Sequence, residues 1–160
     1  MDELFTEINN MRRPKLKDGL YGVMYWNDWD DFENHWFARI ENVPNEDFDL
    51  LVIAESQADF LAVGGTHATY KKLLENIDEL RGQMIGNILE KMRELFKKTR
   101  QRKSAAETLK QKMRLYSITI YQDLSAELQF AERDDEDPEE LFYATIDKTG
   151  ILVEAGVEKI

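Results

Sequence analysis

Leu115-Tyr116-Ser117-Ile118-Thr119-Ile120-Tyr121-Gln122-Asp123-Leu124-Ser125-Ala126-Glu127-Leu128-Gln129-Phe130 decides the architecture. Tyr116, Ile118 and Ile120 alternate with Ser117, Thr119 and Tyr121. Ala126, Leu128 and Phe130 alternate with Glu127 and Gln129. A period of two is the pattern of a strand with one buried face. The intervening Gln122–Ser125 is of hairpin length. Further on, Leu141–Ile146 and Ile151–Val157 flank Asp147-Lys148-Thr149-Gly150, a second hairpin with glycine where positive φ suits it.

Upstream of this block the period changes. Tyr70, Leu73, Leu74, Ile77, Leu80, Met84, Ile85, Ile88, Leu89, Met92, Leu95 and Phe96 recur at spacings of three and four. That stripe predicts one long helix after Gly64-Gly65, with Thr66 as its N-cap. Gly82 and Gly86 lie inside it, each costing about 1 kcal/mol relative to alanine, and suggest a bend or a close packing partner. A shorter helix, Ala105–Met113, is expected after a basic break at Thr99–Ser104.

Three strand-like runs precede the helix: Leu20–Trp26, Glu33–Ile40 and Phe48–Ala54. Their short connections favour an antiparallel meander, because parallel neighbours need long crossovers. Ala58–Val63 reads as helix or as loop. Residues 2–11 suit a helical turn carrying Leu4, Phe5 and Ile8, broken at Arg13-Pro14. Strands clustered apart from helices predict an α+β fold, with three N-terminal and four C-terminal antiparallel strands packed against one long central helix and a shorter second one. One domain over 1–160 is expected: a lead-in over 1–19, the meander over 20–55, the helical segment over 66–113 and the last strands over 115–157.

Hydrophobic residues make up 42% and aromatic residues 11% of the 160, the composition of a folded domain rather than a disordered chain. There is no cysteine, so disulfides, thiolate catalysis and Cys-ligated metals are excluded. Met1-Asp2-Glu3-Leu4-Phe5 lacks the basic-then-apolar layout of a signal peptide. No apolar run reaches the roughly 18 residues of a membrane span. A soluble, cytoplasmic protein is expected.

Charge is segregated. The net charge is −11, yet Glu90–Arg114 holds ten Lys or Arg against three Glu, a local +7 that leaves about −18 elsewhere. The acids gather in Asp28–Glu33, Glu41–Asp49 and Glu132–Glu140. Such a field steers encounters with charged macromolecules. The run Glu132–Glu140 reads either as an anionic patch for a basic partner, centred on Asp134, Asp135, Glu136 and Asp137, or as a solvated connection. It lacks the spaced acids and central glycine of a calcium loop. Asp28, Trp29, Asp30 and Asp31 form a second candidate, an aromatic rimmed by charge as at interface hot spots; the alternative folds Trp29 onto the sheet edge. Lys97, Lys98, Arg100, Arg102 and Lys103 oppose a helix dipole, and neither interleaved aromatics nor a basic remainder supports nucleic-acid binding. Their other use is intramolecular or intersubunit pairing with the acidic loops.

His35 and His67 can act as bases near neutral pH, but neither has a sequence neighbour that completes a catalytic set. Gly64-Gly65-Thr66 matches neither a phosphate-binding loop nor a dinucleotide fingerprint. No enzyme, cofactor or metal site is expected.

The meander, the central helix and the block Leu115-Tyr116-Ser117-Ile118-Thr119-Ile120-Tyr121, Ala126-Glu127-Leu128-Gln129-Phe130 and Leu141-Phe142-Tyr143-Ala144-Thr145-Ile146 together resemble small acidic bacterial α+β domains of the polymorphic-toxin immunity protein type. The resemblance covers roughly residues 20–157. It implies a non-catalytic inhibitor that binds a cognate toxin, with a basic partner surface and no direct nucleic-acid or membrane contact, and it transfers no functional residue. The other readings are a nucleic-acid mimic that blocks a DNA- or RNA-binding protein, and a homo-oligomeric scaffold joined through the Tyr70–Phe96 stripe.

Overall fold

Both C-terminal hairpins form, and they belong to one eight-stranded sheet. Its strands are β1 (Lys15–Asp18), β2 (Gly22–Asn27), β3 (His35–Ile40), β4 (Phe48–Ile53), β5 (Met113–Ile120), β6 (Ala126–Glu132), β7 (Glu140–Ile146) and β8 (Leu152–Lys159). Between β4 and β5 come the helices α1 (Gly64–Glu75), α2 (Ile77–Lys91) and α3 (Thr99–Lys112). The computed structural model describes residues 3–4, 13–28, 33–41, 47–57, 64–93 and 99–159. The connection over 42–47, whose Pro44 and Asn45 read as a turn, falls almost wholly outside these residues, and Ala58–Val63 and most of the turn at 2–11 do likewise. Among the described residues no helix is long and apolar enough to cross a membrane.

The strands follow sequence order across the sheet, and every neighbouring pair is antiparallel except β4 and β5. The expected antiparallel arrangement is thus corrected at one seam, where Leu50 stands beside Ile118 and Val52 beside Ile120. A parallel pair needs a long crossover, and the helices supply it.

An eighth strand, β1, lies where a lead-in is expected. Its Lys-Leu-Lys-Asp sequence offers one apolar residue and so no period to read. Lysines suit this place, because β1 is an edge whose unpaired backbone must be kept from other strands. At the opposite edge, the Lys91 ammonium donates to the Ala155 carbonyl of β8.

The long helix is divided at Asn76, whose side-chain amide donates to the Lys72 carbonyl at 2.9 Å. Such local side-chain bonding competes with helix propagation. α1 starts at Gly64, so Thr66 sits inside it instead of capping it, and its hydroxyl bonds Tyr21 Oη at 2.9 Å. Gly82 and Gly86 are exposed on α2 with open space around them, not a packing partner. The expected break at Thr99–Ser104 is helical, as its Arg, Gln and Lys residues favour, and Met113 opens β5 rather than ending a helix.

The core lies between one sheet face and the helical stripe. Met24, Trp26, Trp36, Ala38, Leu50, Val52, Ile118, Ile120, Leu128 and Phe130 are buried from the sheet side, and Tyr70, Leu73, Leu80, Met84, Ile85, Ile88 and Leu89 from the helices. The stripe is therefore covered by the chain's own sheet. Its distal end differs: Met92 lies past α2 and is 40% exposed, and Leu95 and Phe96 fall outside the described residues. A bulge between Leu115 and Ser117 changes which side chains face inward. Leu115 is buried, whereas Tyr116, expected beside Ile118, is half-exposed with the Arg114 guanidinium 5.3 Å from its ring.

Candidate interaction surface

The residues that alternate with the core define the other sheet face. Register aligns Lys15, Tyr25, Phe37, Leu51, Thr119, Glu127, Thr145 and Glu154 in one row across all eight strands. The next row runs through Asp49, Ser117, Gln129, Tyr143 and Gly156. Tyr25, Phe37 and Leu51 are half-buried, which gives this face an apolar region on its β2–β4 side. Its β5–β8 side is polar and acidic.

A directed network organises the acidic side. The buried Ser117 hydroxyl donates to Gln129 Oε1 at 2.5 Å, which turns the amide nitrogen toward two carboxylates. That nitrogen donates to Glu158 Oε1 at 2.7 Å and approaches Glu127 Oε1 at 3.5 Å. Tyr121 Oη reaches Glu127 Oε2 at 3.5 Å, and Tyr143 Oη reaches Glu154 Oε1 at 3.3 Å. Burial and the neighbouring Glu158 push the Glu127 carboxyl up. Burial, with Glu127, Glu33 and Glu158 nearby, raises the Tyr121 phenol to about 12. Gly156 makes room for Tyr143: a Cβ there would stand 2.8 Å from the phenolic oxygen and 2.9 Å from a ring carbon.

The β6–β7 connection borders this surface and carries the predicted acids. Arg133 is exposed but tied to the α3–β5 junction: its backbone N–H donates to Lys112 O at 2.6 Å, and its guanidinium donates to Met113 O at 3.1 Å and Gln111 O at 3.3 Å. Arg114 donates to the Asp135 carbonyl at 2.8 Å. One Asp135 carboxylate oxygen accepts the Asp137 N–H at 3.2 Å, so Asp135 shapes the loop and is half-buried. Asp134, Glu136 and Asp137 are exposed. Glu132, Asp135, Asp137, Glu139, Glu140 and Phe142 line an open depression of about 510 Å³. Of the basic residues expected to pair with the acidic loops, Lys97, Lys98 and the Arg100 side chain lie outside the described residues, and the loop is held instead by Arg114 and by its own Arg133, through backbone carbonyls. Arg93 and Arg102 instead approach Glu90, at 3.6 and 3.3 Å.

Asp28 is exposed just past β2, and Trp29, Asp30 and Asp31 lie outside the described residues. Asp28 follows the end of β2 that aligns with the end of β4, whereas Asp134–Asp137 follow the other end of β6. Asp28 and Asp134–Asp137 thus stand at opposite strand ends of the sheet.

A third arrangement joins the first hairpin to α1. Asp18 accepts the Leu20 and Tyr21 N–H groups, both at 2.8 Å, and its other oxygen lies 3.0 Å from His67 Nε2. Burial pushes the Asp18 carboxyl up, but the Tyr21, Leu20 and His67 interactions outweigh it and hold the carboxyl below its usual range. Tyr21 packs edge-on against both His67 and Tyr70. This Asp–His pair links residues 49 apart and was not readable from local spacing. Its partners make it a dock between hairpin and helix. His35 stands apart, buried, with Nδ1 2.8 Å from the Glu33 carbonyl. Among the described residues no three His, Asp or Glu side chains are grouped to hold a metal ion.

No protein-family model matches the chain, and comparison with curated proteins and with solved structures gives no match.

Proposed function

We propose that this is a non-catalytic binding protein acting in the cytoplasm, an immunity-type inhibitor that neutralises a cognate toxin by presenting acidic groups to a basic protein surface. The observation that carries this reading is the clamped β6–β7 connection. Arg114 and Arg133 are spent on backbone carbonyls, so the loop is ordered while the Asp134, Glu136 and Asp137 side chains stay exposed. Preorganised, unneutralised charge speeds association with a cationic partner and enforces specificity. The resemblance to immunity-type domains supports the same direction. Nucleic-acid mimicry has less support, since these acids cluster on one connection and one sheet face rather than along a line. Among the buried stripe residues, those from Tyr70 to Leu89 offer no face to a second copy.

The quadruple substitution Asp134→Asn, Asp135→Asn, Glu136→Gln and Asp137→Asn tests this reading. Recovery of a basic, growth-inhibiting protein from the native host by the wild type, but not by the variant, is the expected outcome. Equal recovery by both removes the loop from the interface.

A further inference from the structure

We propose that the sheet face around Glu127, Gln129, Tyr143 and Glu158 receives an arginine side chain of a cationic polypeptide partner, with the guanidinium facing the two carboxylates and the stem along the Tyr143 ring. This rests on the binding-protein reading and supplies it with a second, separate contact.

Complementarity is the first argument. Glu127 and Glu158 converge on one amide nitrogen, and Glu154 stands in the same row as Glu127. Among the described residues no Lys or Arg forms an ion pair with any of the three. The nearest cation in the adjoining row, Arg39, is taken by Asp49 at 2.8 Å. Carboxylates held together without a counter-charge are complementary to a planar cation with several N–H donors, and guanidinium meets that demand better than a point-charge ammonium.

Thr119 is the second, independent observation. It is 8% exposed, lies on this face between Leu51 and Glu127, and its hydroxyl has no partner among the described residues. The open hydroxyl oxygen beside Glu127 can accept from one more of the guanidinium N–H groups. Tyr121 and Tyr143 flank the carboxylates with π-systems that favour a cation. The Ser117–Gln129 bond fixes the amide, so the carboxylates are ordered before anything binds.

Arginine favours the ionised form of Glu127, whereas burial and Glu158 favour its protonated form. Tyr121 and Glu158 stand against Glu127, with Glu33 near Tyr121 and Glu154 near Tyr143, all of them acids, so affinity increases from pH 4 to pH 7.

Titration of the isotope-labelled full chain with octa-arginine, followed by backbone amide shifts, tests the site. The expected result is saturable shifts at Thr119, Glu127, Gln129, Tyr143 and Glu158. Octa-lysine should bind about tenfold more weakly, as should the wild-type peptide to Glu127→Gln/Glu158→Gln protein that retains a native amide spectrum. The loop-neutralised quadruple variant should keep these shifts. Shifts confined to residues 132–140 overturn the arginine site and leave the loop reading standing. Equal affinity for both peptides, or no shifts at all, also overturns it. Persistent face shifts in the quadruple variant, together with undiminished capture of the native partner, support the site and count against the loop.

Discussion

Leu124 and Gly150 occupy the same place in two copies of one turn. In each, the third loop residue donates back to the residue that opens the turn, Leu124 N to Tyr121 O and Gly150 N to Asp147 O, both at 2.9 Å. Each carries positive φ, 68° for Leu124 and 91° for Gly150. For leucine that conformation costs about 1 kcal/mol or more, for glycine little. The Leu124 side chain packs 3.7 Å from where a Cβ on Gly65 would stand and lines a cavity of about 30 Å³ under α1. Packing thus offsets strain. Leu124→Ala keeps the strain and loses the packing, so it should cost about 2 kcal/mol in chemical denaturation. Leu124→Gly should cost about 1 kcal/mol less than alanine, because it relieves the strain. The reverse order would show that the backbone is not strained there.

Glu127 gives a pH-dependent test at the same scale. Its carboxyl holds its proton more tightly in the folded chain than in the unfolded one. The folded state therefore suffers no penalty below the ordinary carboxylate range. The penalty grows as pH rises through that range and is complete above the folded value. Glu127→Gln should raise the urea midpoint at pH 7, by an amount equivalent to a few tenths to about 1 kcal/mol after allowing for half-exposure. The difference should fade by about pH 3.

Among the elements, α3 depends on a residue beyond its own span. Arg133 serves the last carbonyls of the helix and the first of β5, a guanidinium at the negative end of the helix dipole. Arg133→Ala should lower stability by about 1 kcal/mol and speed amide exchange at the α3 C-terminus and through residues 133–137. Its position inside an acidic run conceals this role, because the helix that it serves ends 21 residues earlier. The same limit explains what was legible. The stripe from Tyr70 to Leu89 and the alternation from Ile118 to Phe130 are local, and both predict the buried residues. β1 has too few apolar residues to show a period, and the parallel seam joins strands 60 residues apart, from Ile53 to Met113. Of the surface, the exposed loop acids are readable from charge. The Ser117–Gln129–Glu158 network depends on register across β5 to β8, which no single segment contains.

Across the whole molecule, the parallel seam couples two four-stranded halves. Ile118 is fully buried on β5 directly beside Leu50 of β4 and opposite Leu128 of β6. Ile118→Ala should cost about 2–5 kcal/mol. The loss should register equally in Trp26 and Trp36 fluorescence, which reports the first half, and in the circular dichroism of the whole chain. Separate midpoints would show that the halves unfold independently.

The seam also sets a delay in biosynthesis. When β4 leaves the ribosome its outer edge has no neighbour, and β5 lies 60 residues downstream. At about 5–20 residues per second the wait is roughly 3–12 s. Throughout it a strand carrying Leu50, Val52 and Ile53 presents an open backbone edge to every other nascent chain in reach. The yield of folded protein should therefore track translation speed through the helical crossover, which expression with slowed or hastened codons over residues 54–112 would measure.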